Sequence, residues 1–195
     1  MNPYRLLYRL GITPWERSSV PKPVSELAER LSTPGKALDV GCGTGRDAVF
    51  LSGRGWAVTG VDAVAQAIEG ARERASAAGV EVRWVLGDVT RLETLGLGEG
   101  YDLVLDRGCF HGLTEEERAR TAAGVSALTA PGARLLLFAF QPRRLGLGPS
   151  GLTADQLEGH FAGWSIVSST PEVEAKPPWW IGDVKPQWYE LERSA

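Results

Sequence analysis

Short apolar runs alternate with amphipathic stretches along most of this chain. Runs rich in Val, Leu, Ala and aromatic residues, bounded by turn residues, predict buried strands. The predicted strands are Lys36–Val40, Ala57–Val61, Val80–Leu86, Tyr101–Leu105, Arg134–Phe140, Trp164–Ser169 and Gln187–Glu192. In several of the connections apolar residues recur with the helical period, so helices are expected between the strands.

Apolar spacing and capping residues locate those helices. Apolar residues within 24–31 follow the i, i+3, i+4, i+7 pattern of one helix face, and Pro34-Gly35 ends that helix. Thr114 and Glu117 have the spacing of a capping box. Further helices are predicted from about Arg46 to Gly53, from Val64 to Gly79, from Thr114 to Leu128, and after a cap at Thr153 to Gln156.

Strands that alternate with helices predict a parallel sheet with right-handed crossovers. The last two strands are joined by a Pro- and Trp-rich connection at 171–186, so they are expected to be antiparallel. We therefore predict a single-domain α/β fold over residues 23–195. It is a Rossmann-like, doubly wound sheet of seven strands, mostly parallel with the last strand antiparallel. Residues 1–22 are predicted to form a separate N-terminal segment.

The stretch Leu38–Leu51 is the most informative part of the chain. A strand runs into the glycine-rich loop Gly41–Gly45 and a helix follows, so the backbone can turn tightly and approach a ligand closely. This arrangement is typical of nucleotide sites. Arg46 replaces the last small residue of the dinucleotide fingerprint, and the Asp39 carboxylate would repel a pyrophosphate. Both features argue against a nucleotide-dependent oxidoreductase.

Four consecutive predicted strands end at a glycine or an aspartate. These positions are Gly41, Asp62, Asp88 and Asp106. Ligands of open α/β sheets bind at the carboxyl ends of the strands. The four positions are therefore expected at one edge of the sheet.

Composition narrows the classes of partner. The formal net charge is −3 without a basic tract, so nucleic acid is not expected as a partner. The N-terminus lacks the apolar core of a signal peptide and no apolar run reaches the length of a membrane span, so a cytoplasmic protein without a membrane partner is expected. Cys42 and Cys109 match no metal or redox spacing, and with only two His no metal site is expected. Monomer and homodimer remain open.

The segment Asp39–Gly45 resembles the first motif of class I S-adenosylmethionine (SAM)-dependent methyltransferases, D-x-G-x-G-x-G. The resemblance covers essentially the whole chain and implies SAM as the cofactor and a small molecule as the methyl acceptor. It also implies that Asp39 and the loop residues Gly41, Cys42 and Gly43 hold the methionine amine.

The same resemblance assigns the remaining cofactor contacts. Asp62, followed by Ala63, would accept hydrogen bonds from the ribose hydroxyls. Asp88 would bind the adenine amino group, while the backbone N–H of Val89 would serve a ring nitrogen.

Two segments are similar to the thiopurine methyltransferase-like branch. They are Asp106-Arg107-Gly108 after the fourth strand and Thr13-Pro14-Trp15-Glu16 near the N-terminus. The similarity implies that Trp15, in a lid over 1–22, covers the cofactor and that Asp106 and Arg107 contact it. Related members methylate thiols, selenium or tellurium species, or halides. Direct SN2 transfer to a soft nucleophile is therefore the expected reaction.

Arg107 and His111 are the candidate catalytic residues. Arg107 would stabilise a thiolate, since a neighbouring cation lowers the pKa of a thiol. His111 is the candidate base near neutral pH for a phenol acceptor. Phe110, Trp179 and Trp180 are the candidate substrate contacts, because aromatic side chains suit an apolar or aromatic acceptor.

Two alternatives stay open on the sequence. One is a small-molecule O- or N-methyltransferase of secondary metabolism that uses His111 as its base. The other is a SAM-binding protein without methyl transfer, such as a cyclase or a sensor.

Overall fold

The computed structural model describes residues 19–142, 151–173 and 185–194. The helices there are α1 Lys22–Arg30, α2 Arg46–Ser52, α3 Ala65–Ala78, α4 Glu115–Leu128 and α5 Ala154–His160. The strands are β1 Lys36–Val40, β2 Ala57–Asp62, β3 Arg83–Leu86, β4 Tyr101–Arg107, β5 Thr129–Phe140, β6 Trp164–Pro171 and β7 Pro186–Arg193. Short 3-10 turns cover Val89–Thr94 and Phe110–Gly112.

The seven strands form one sheet in the order β3-β2-β1-β4-β5-β7-β6. β1 pairs with β2, β2 with β3 and β4 with β5 in parallel, whereas β7 is antiparallel to both β5 and β6. This confirms the predicted α/β sheet with its antiparallel last strand. The chain divides into two compact units, Met1–Val89 and Thr90–Ala195.

The helix boundaries follow from local sequence signals. α1 has a proline in its first turn, where a missing N–H costs nothing, and buries Val24, Leu27 and Ala28. The predicted capping box of α4 is present, with the Thr114 N–H donating to Glu117 Oε2 at 2.9 Å. α5 starts with the corresponding pair of Thr153 and Gln156. No helix among the described residues has the length and apolar character to span a membrane.

Two strands begin three or more residues away from the predicted position. β3 begins at Arg83 rather than Val80. β5 begins at Thr129 rather than Arg134, because Thr129 already pairs with Tyr101. Pro131-Gly132 therefore lies within β5, where the register between β4 and β5 shifts.

Two tryptophans of the last two strands are buried. Trp164 is 6% and Trp188 is 3% exposed. Their indole nitrogens donate to Ser126 Oγ at 3.0 Å and to Glu172 Oε2 at 2.8 Å. Each ring is therefore buried with its polar atom satisfied, as buried tryptophans usually are.

In the unit Met1–Val89, the half-buried Trp84 ring is wedged under the glycine-rich loop. A Cβ at Gly45 would lie 2.3 Å from Trp84 Cη2, and a Cβ at Gly60 would lie 2.6 Å from Trp84 Cζ3. The same hypothetical Gly45 Cβ would lie 2.9 Å from Cβ of Ala71 in α3. The ring therefore has neighbours on several sides, and both glycines leave the space that it occupies.

We expect Gly60→Ala to lower the free energy of unfolding by about 1–3 kcal/mol, the usual cost of overpacking a core. Gly60 lies in β2 without a positive φ, so the methyl contact with Trp84 is the cause rather than backbone strain. Urea denaturation measures the effect. Adding Trp84→Leu to Gly60→Ala should make the glycine substitution cost less.

Gly159 in α5 is the control, because a Cβ there meets no atom within 4 Å and its φ is not positive. Gly159→Ala should leave stability unchanged or raise it by up to about 1 kcal/mol through helix propensity. Equal stability of Gly60→Ala and the wild type would contradict the wedge.

Candidate functional site

The glycine-rich loop Gly41–Gly45 is tightly turned and tied to β2. Gly41, Gly43 and Gly45 have φ angles of 70°, 54° and 71°, which a side chain would disfavour. The amides of Gly41 and Cys42 both donate to the carbonyl of Val61, at 2.9 and 3.0 Å. The loop is thus held against the end of the neighbouring strand.

Asp62 adds a second link between β2 and this loop. Its Oδ2 accepts from the Gly43 amide and its Oδ1 from the Val64 amide, each at 2.9 Å. Asp62 and Ala63 are both half-buried. A carboxylate oxygen can accept more than one hydrogen bond, so the group retains capacity for two hydroxyls of a diol.

The other cofactor residues predicted in this unit lie in β1 or at the end of β3. Asp39 is 3% exposed within β1. Asp88 is exposed after β3, and the buried Val89 opens a 3-10 turn. The amide of Gly87 donates to the carbonyl of Asp62 at 3.0 Å, which joins the ends of β2 and β3. The unit Met1–Val89 therefore brings the glycine loop, Asp62 and the segment before Asp88 together.

In the unit Thr90–Ala195, Asp106 organises the turn after β4. Asp106 is 3% exposed, and its carboxylate accepts from the Cys109 amide at 2.9 Å and the Phe110 amide at 3.0 Å. Burial raises the pKa of Asp106 to about 7. Hydrogen bonds from the amides of Phe110, Cys109 and Gly108 favour the carboxylate and offset part of this rise. Its predicted contact with the cofactor stays a prediction. Arg107 ends β4 and is half-buried.

His111 does not have the environment expected of a base. It is 4% exposed, its Nδ1 accepts from the Phe140 amide at 3.2 Å, and its ring stacks on Phe140 with centroids 4.8 Å apart. Burial, and secondly the charge of Arg118, lower its pKa to about 3. A general base works best with a pKa near the operating pH. The buried ring is therefore neutral, with its proton on Nε2 because Nδ1 accepts the Phe140 amide. Its candidate role as a base stays a prediction that this environment does not favour.

Phe110 is enclosed in the core of this unit. It is 1% exposed and packs against His160 and Phe161, with ring centroids 5.6 and 5.3 Å away. Its candidate contact with the acceptor stays a prediction. The polar end of His160 lies 3.3 Å from Glu115.

Phe138 and Phe140 are aromatic residues that sequence reasoning placed in a buried strand without a site role. Both are half-buried, and their ring centroids lie 5.6 Å apart. Phe138 also contacts Trp188, at 5.1 Å between centroids, and its Cα is the register partner of Arg107. The sequence does show two aromatic residues, two positions apart, at the end of β5. Because side chains alternate between the two faces of a sheet, both rings lie on the same face.

Arg118 is the other residue that sequence reasoning missed. It lies in α4, is 4% exposed, and donates to the carbonyls of Phe110 and His111. In the sequence it is one of several charged residues in the first half of its helix, and nothing there distinguishes it from the solvent-exposed Arg120.

Some predictions fall outside the described residues. These are Trp15 and the lid, Trp179 and Trp180. Over 19–142, 151–173 and 185–194, no three His, Cys, Asp or Glu side chains are grouped so as to hold a metal ion.

Comparison with known proteins decides the family. Residues 37–132 match the family described as a methyltransferase domain. An uncharacterized methyltransferase of Schizosaccharomyces pombe is 31% identical over 104 residues, which are 53% of this chain and 70% of that protein. The chain belongs to the SAM-dependent methyltransferases.

One relative is named for its acceptor. A 2-heptyl-1-hydroxyquinolin-4(1H)-one methyltransferase of Mycobacteroides abscessus is 27% identical over 128 residues. The match covers 65% of this chain and 56% of that relative, so the chain spans little more than half of its length.

Solved structures agree in fold. A protein solved in a study of the conversion of a disulfide bond into a thioacetal group during echinomycin biosynthesis has a TM-score of 0.79 and 25% identity, over 98% of this chain and 92% of the other. The 1,6-didemethyltoxoflavin-N1-methyltransferase of Burkholderia thailandensis, solved with its substrate and S-adenosylhomocysteine, has a TM-score of 0.80 and 22% identity, over 99% and 86%.

The residues of the unit Met1–Val89 fit the cofactor of this methyltransferase family. The fixed Asp62 carboxylate suits a ribose diol, and the positive-φ loop Gly41–Gly45 leaves room for a close ligand. Asp39 and Asp88 add the carboxylates that an ammonium and an amino group require. We propose that these residues hold SAM.

We expect Asp62→Asn to weaken binding of S-adenosylhomocysteine at least tenfold, about 1.4 kcal/mol. The substitution removes the charge that strengthens a bond to a hydroxyl, and it leaves one loop amide facing an NH2 group. Calorimetric titration measures the affinity. Glu69→Gln, an exposed acid on α3, is the control. Unchanged affinity of Asp62→Asn would remove Asp62 from the site.

We expect Asp106 to make stability fall as pH rises from about 4 to about 7. Its folded-state pKa of about 7 lies above the ordinary value of 3.8, so the folded chain keeps a proton that the unfolded chain has released. That contribution is fully present below the unfolded pKa and is lost as pH approaches the folded pKa. Asp106→Asn should flatten this slope in urea unfolding, whereas Asp102→Asn, exposed on the same strand, should keep it. An unaltered slope in Asp106→Asn would refute the assignment.

Proposed function

We propose that this chain is an enzyme that transfers the methyl group of SAM to a small molecule, with a soft nucleophile as the acceptor atom. The acceptor would be a thiol, a selenium or tellurium species, or a halide. The observation that carries the proposal is the buried, neutral state of His111, whose pKa is lowered to about 3. The residue that would serve oxygen acceptors as a base is unsuited to that task.

Soft nucleophiles need little help from a base. A thiol has a pKa near 8.5, so a useful fraction is already ionised near neutral pH. The second of the two His, His160, is paired with Glu115 and packs edge-on against Phe110. Neither histidine is therefore placed as a base, which favours an acceptor that ionises readily.

The mechanism requires alignment more than proton transfer. The bound cofactor supplies a methyl group on an already activated sulfonium centre. Asp62 and the loop Gly41–Gly45 would orient it, while Asp106 fixes the turn that follows Arg107. Arg107 would stabilise the anionic form of the acceptor, and His111 would stay neutral throughout.

The aromatic residues of β5 support an acceptor with an apolar or aromatic body. Phe138 and Phe140 are half-buried rings on one face of the strand, and the Cα of Phe138 is paired in register with Arg107. A cation next to an aromatic surface suits a molecule that combines an ionisable atom with a flat apolar part. The relative from the echinomycin study, which concerns sulfur chemistry, also favours this class.

The alternative is a small-molecule O- or N-methyltransferase. The acceptors named for two relatives, a hydroxyquinolinone and a didemethyltoxoflavin N1 position, favour it. In that case the acceptor itself would have to be acidic or already a good nucleophile, since His111 does not supply the base.

We expect S-adenosylhomocysteine release with alkyl and aryl thiols, selenite or iodide, and little with a catechol, a phenol or an amine. His111→Asn keeps an acceptor for the Phe140 amide and should change thiol turnover by less than about tenfold, since a general base is typically worth 10² to 10⁴. Coupled detection of S-adenosylhomocysteine across the panel measures both results.

Other outcomes separate the alternatives. Turnover of phenols alone, with a loss above about 100-fold in His111→Asn, would contradict the soft-nucleophile proposal and restore the base. Calorimetric SAM binding without turnover of any acceptor would favour a SAM-binding protein that transfers nothing.

A further inference from the structure

Arg118 is a buried cation that donates to three backbone carbonyls. It is 4% exposed, its Nε donates to the Phe110 carbonyl at 3.2 Å, and its Nη2 donates to the carbonyls of His111 at 2.8 Å and Gly151 at 3.2 Å. Glu115 lies 3.9 Å from Nη1, but its side chain is 78% exposed. The guanidinium therefore joins separate backbone segments, a use that its planar fork of donors suits.

The turn Phe110–Gly112 is held from both of its polar sides. The Asp106 carboxylate accepts the amides of Cys109 and Phe110, while Arg118 donates to the carbonyls of Phe110 and His111. Asp106 thus accepts from the amide donors of the turn, and Arg118 donates to its carbonyl acceptors. The backbone that follows Arg107 is thereby anchored by two buried side chains, the carboxyl group of Asp106 and the guanidinium of Arg118.

The third carbonyl extends this anchor to the end of β5. Gly151 has a φ of 72°, and a Cβ there would lie 2.6 Å from the carbonyl oxygens of Phe140 and Gln141. The Leu152 amide donates to the Phe140 carbonyl at 3.0 Å. Arg118 thus links the turn after β4 to the backbone packed against the end of β5.

We infer that Arg118 is a positioning residue for the acceptor side of the reaction. It holds the turn after β4, and so the placement of Arg107, relative to the Phe138–Phe140 end of β5. The inference rests on the proposed function, in which this region faces the acceptor. A displacement of about 1 Å costs up to about 100-fold in rate when a reaction depends on alignment.

The test compares Arg118→Lys and Arg118→Met with Arg120→Lys and Arg120→Met. Arg120 lies on the same helix, is 48% exposed and pairs with Glu116, so it is a matched control. Glu115→Gln removes the exposed ion pair and leaves the carbonyl contacts. The readouts are kcat and KM for the acceptor that the wild type methylates fastest, calorimetric SAM affinity, and Tm.

We expect Arg118→Met to lower kcat/KM for the acceptor by about 10- to 100-fold, with SAM affinity unchanged. Arg118→Lys should retain more activity than Arg118→Met, because one ammonium reaches some of the carbonyls. The Arg120 variants and Glu115→Gln should match the wild type. A lower Tm with wild-type acceptor kinetics, or an equal loss of SAM affinity and turnover, would overturn the inference. If Arg118→Met does not fold, Arg118→Lys decides by the same criteria.

Hydrogen exchange separates failure of this inference from failure of the proposed function. The amides of Gly112, Leu113 and Leu152 should exchange faster in Arg118→Lys than in Arg120→Lys. If the wild type methylates no acceptor, the proposed function fails by itself and exchange decides the role of Arg118. Unchanged exchange at these amides would overturn it.

Discussion

Backbone amides in the turns that follow strands need hydrogen-bond acceptors inside the protein. Two aspartates, Asp62 and Asp106, provide such acceptors. An unpaired buried N–H costs about as much as a lost hydrogen bond, so such turns form only where an acceptor is provided. Asp62 accepts the amide of Gly43 after β1 and that of Val64 after β2. Asp106 accepts those of Cys109 and Phe110 after β4. In each of the two units, the geometry of the candidate residues depends on one of these carboxylates.

The second turn carries an additional cost because its anchors are buried. Desolvation disfavours the charged form of Asp106 and of Arg118, and it shifts the pKa of each toward the neutral form. Hydrogen bonds from amides and to carbonyls offset part of that cost. Stability alone does not require a buried charge, since apolar replacements are often as stable. The buried side chains of Asp106 and Arg118 are thus better explained by the backbone that they fix, next to Arg107.

The sequence was sufficient where the determining contacts are local. The capping box of Thr114 and the turns of the glycine loop were predictable, because their signals lie within a few neighbouring residues. Trp15, Trp179 and Trp180 lie outside the described residues, and the identity of the acceptor depends on shape that periodicity does not encode.

Sequence reasoning was weakest where burial depends on distant contacts. His111 follows the Asp106-Arg107-Gly108 motif closely and was therefore interpreted as a base, but its ring is enclosed by Phe140, which is 29 residues away. Arg118 was overlooked for the same reason, since one of its carbonyl partners is 33 residues away. A side chain's charge is visible in a sequence, whereas its exposure is set by the rest of the fold.

The burial of His111 bears directly on how an acceptor could lose its proton. Proton transfer from a phenol with a pKa near 10 to a histidine with a pKa of about 3 is uphill by on the order of 10 kcal/mol. The product would be an imidazolium next to the buried guanidinium of Arg118, whose charge already lowers that pKa. Without this histidine an acceptor has to ionise by itself, which at pH 7.5 costs about 3.4 kcal/mol for a phenol with a pKa near 10 and about 1.4 kcal/mol for a thiol with a pKa near 8.5. The proposed soft nucleophile is thus the class of acceptor for which the absence of a histidine base costs least.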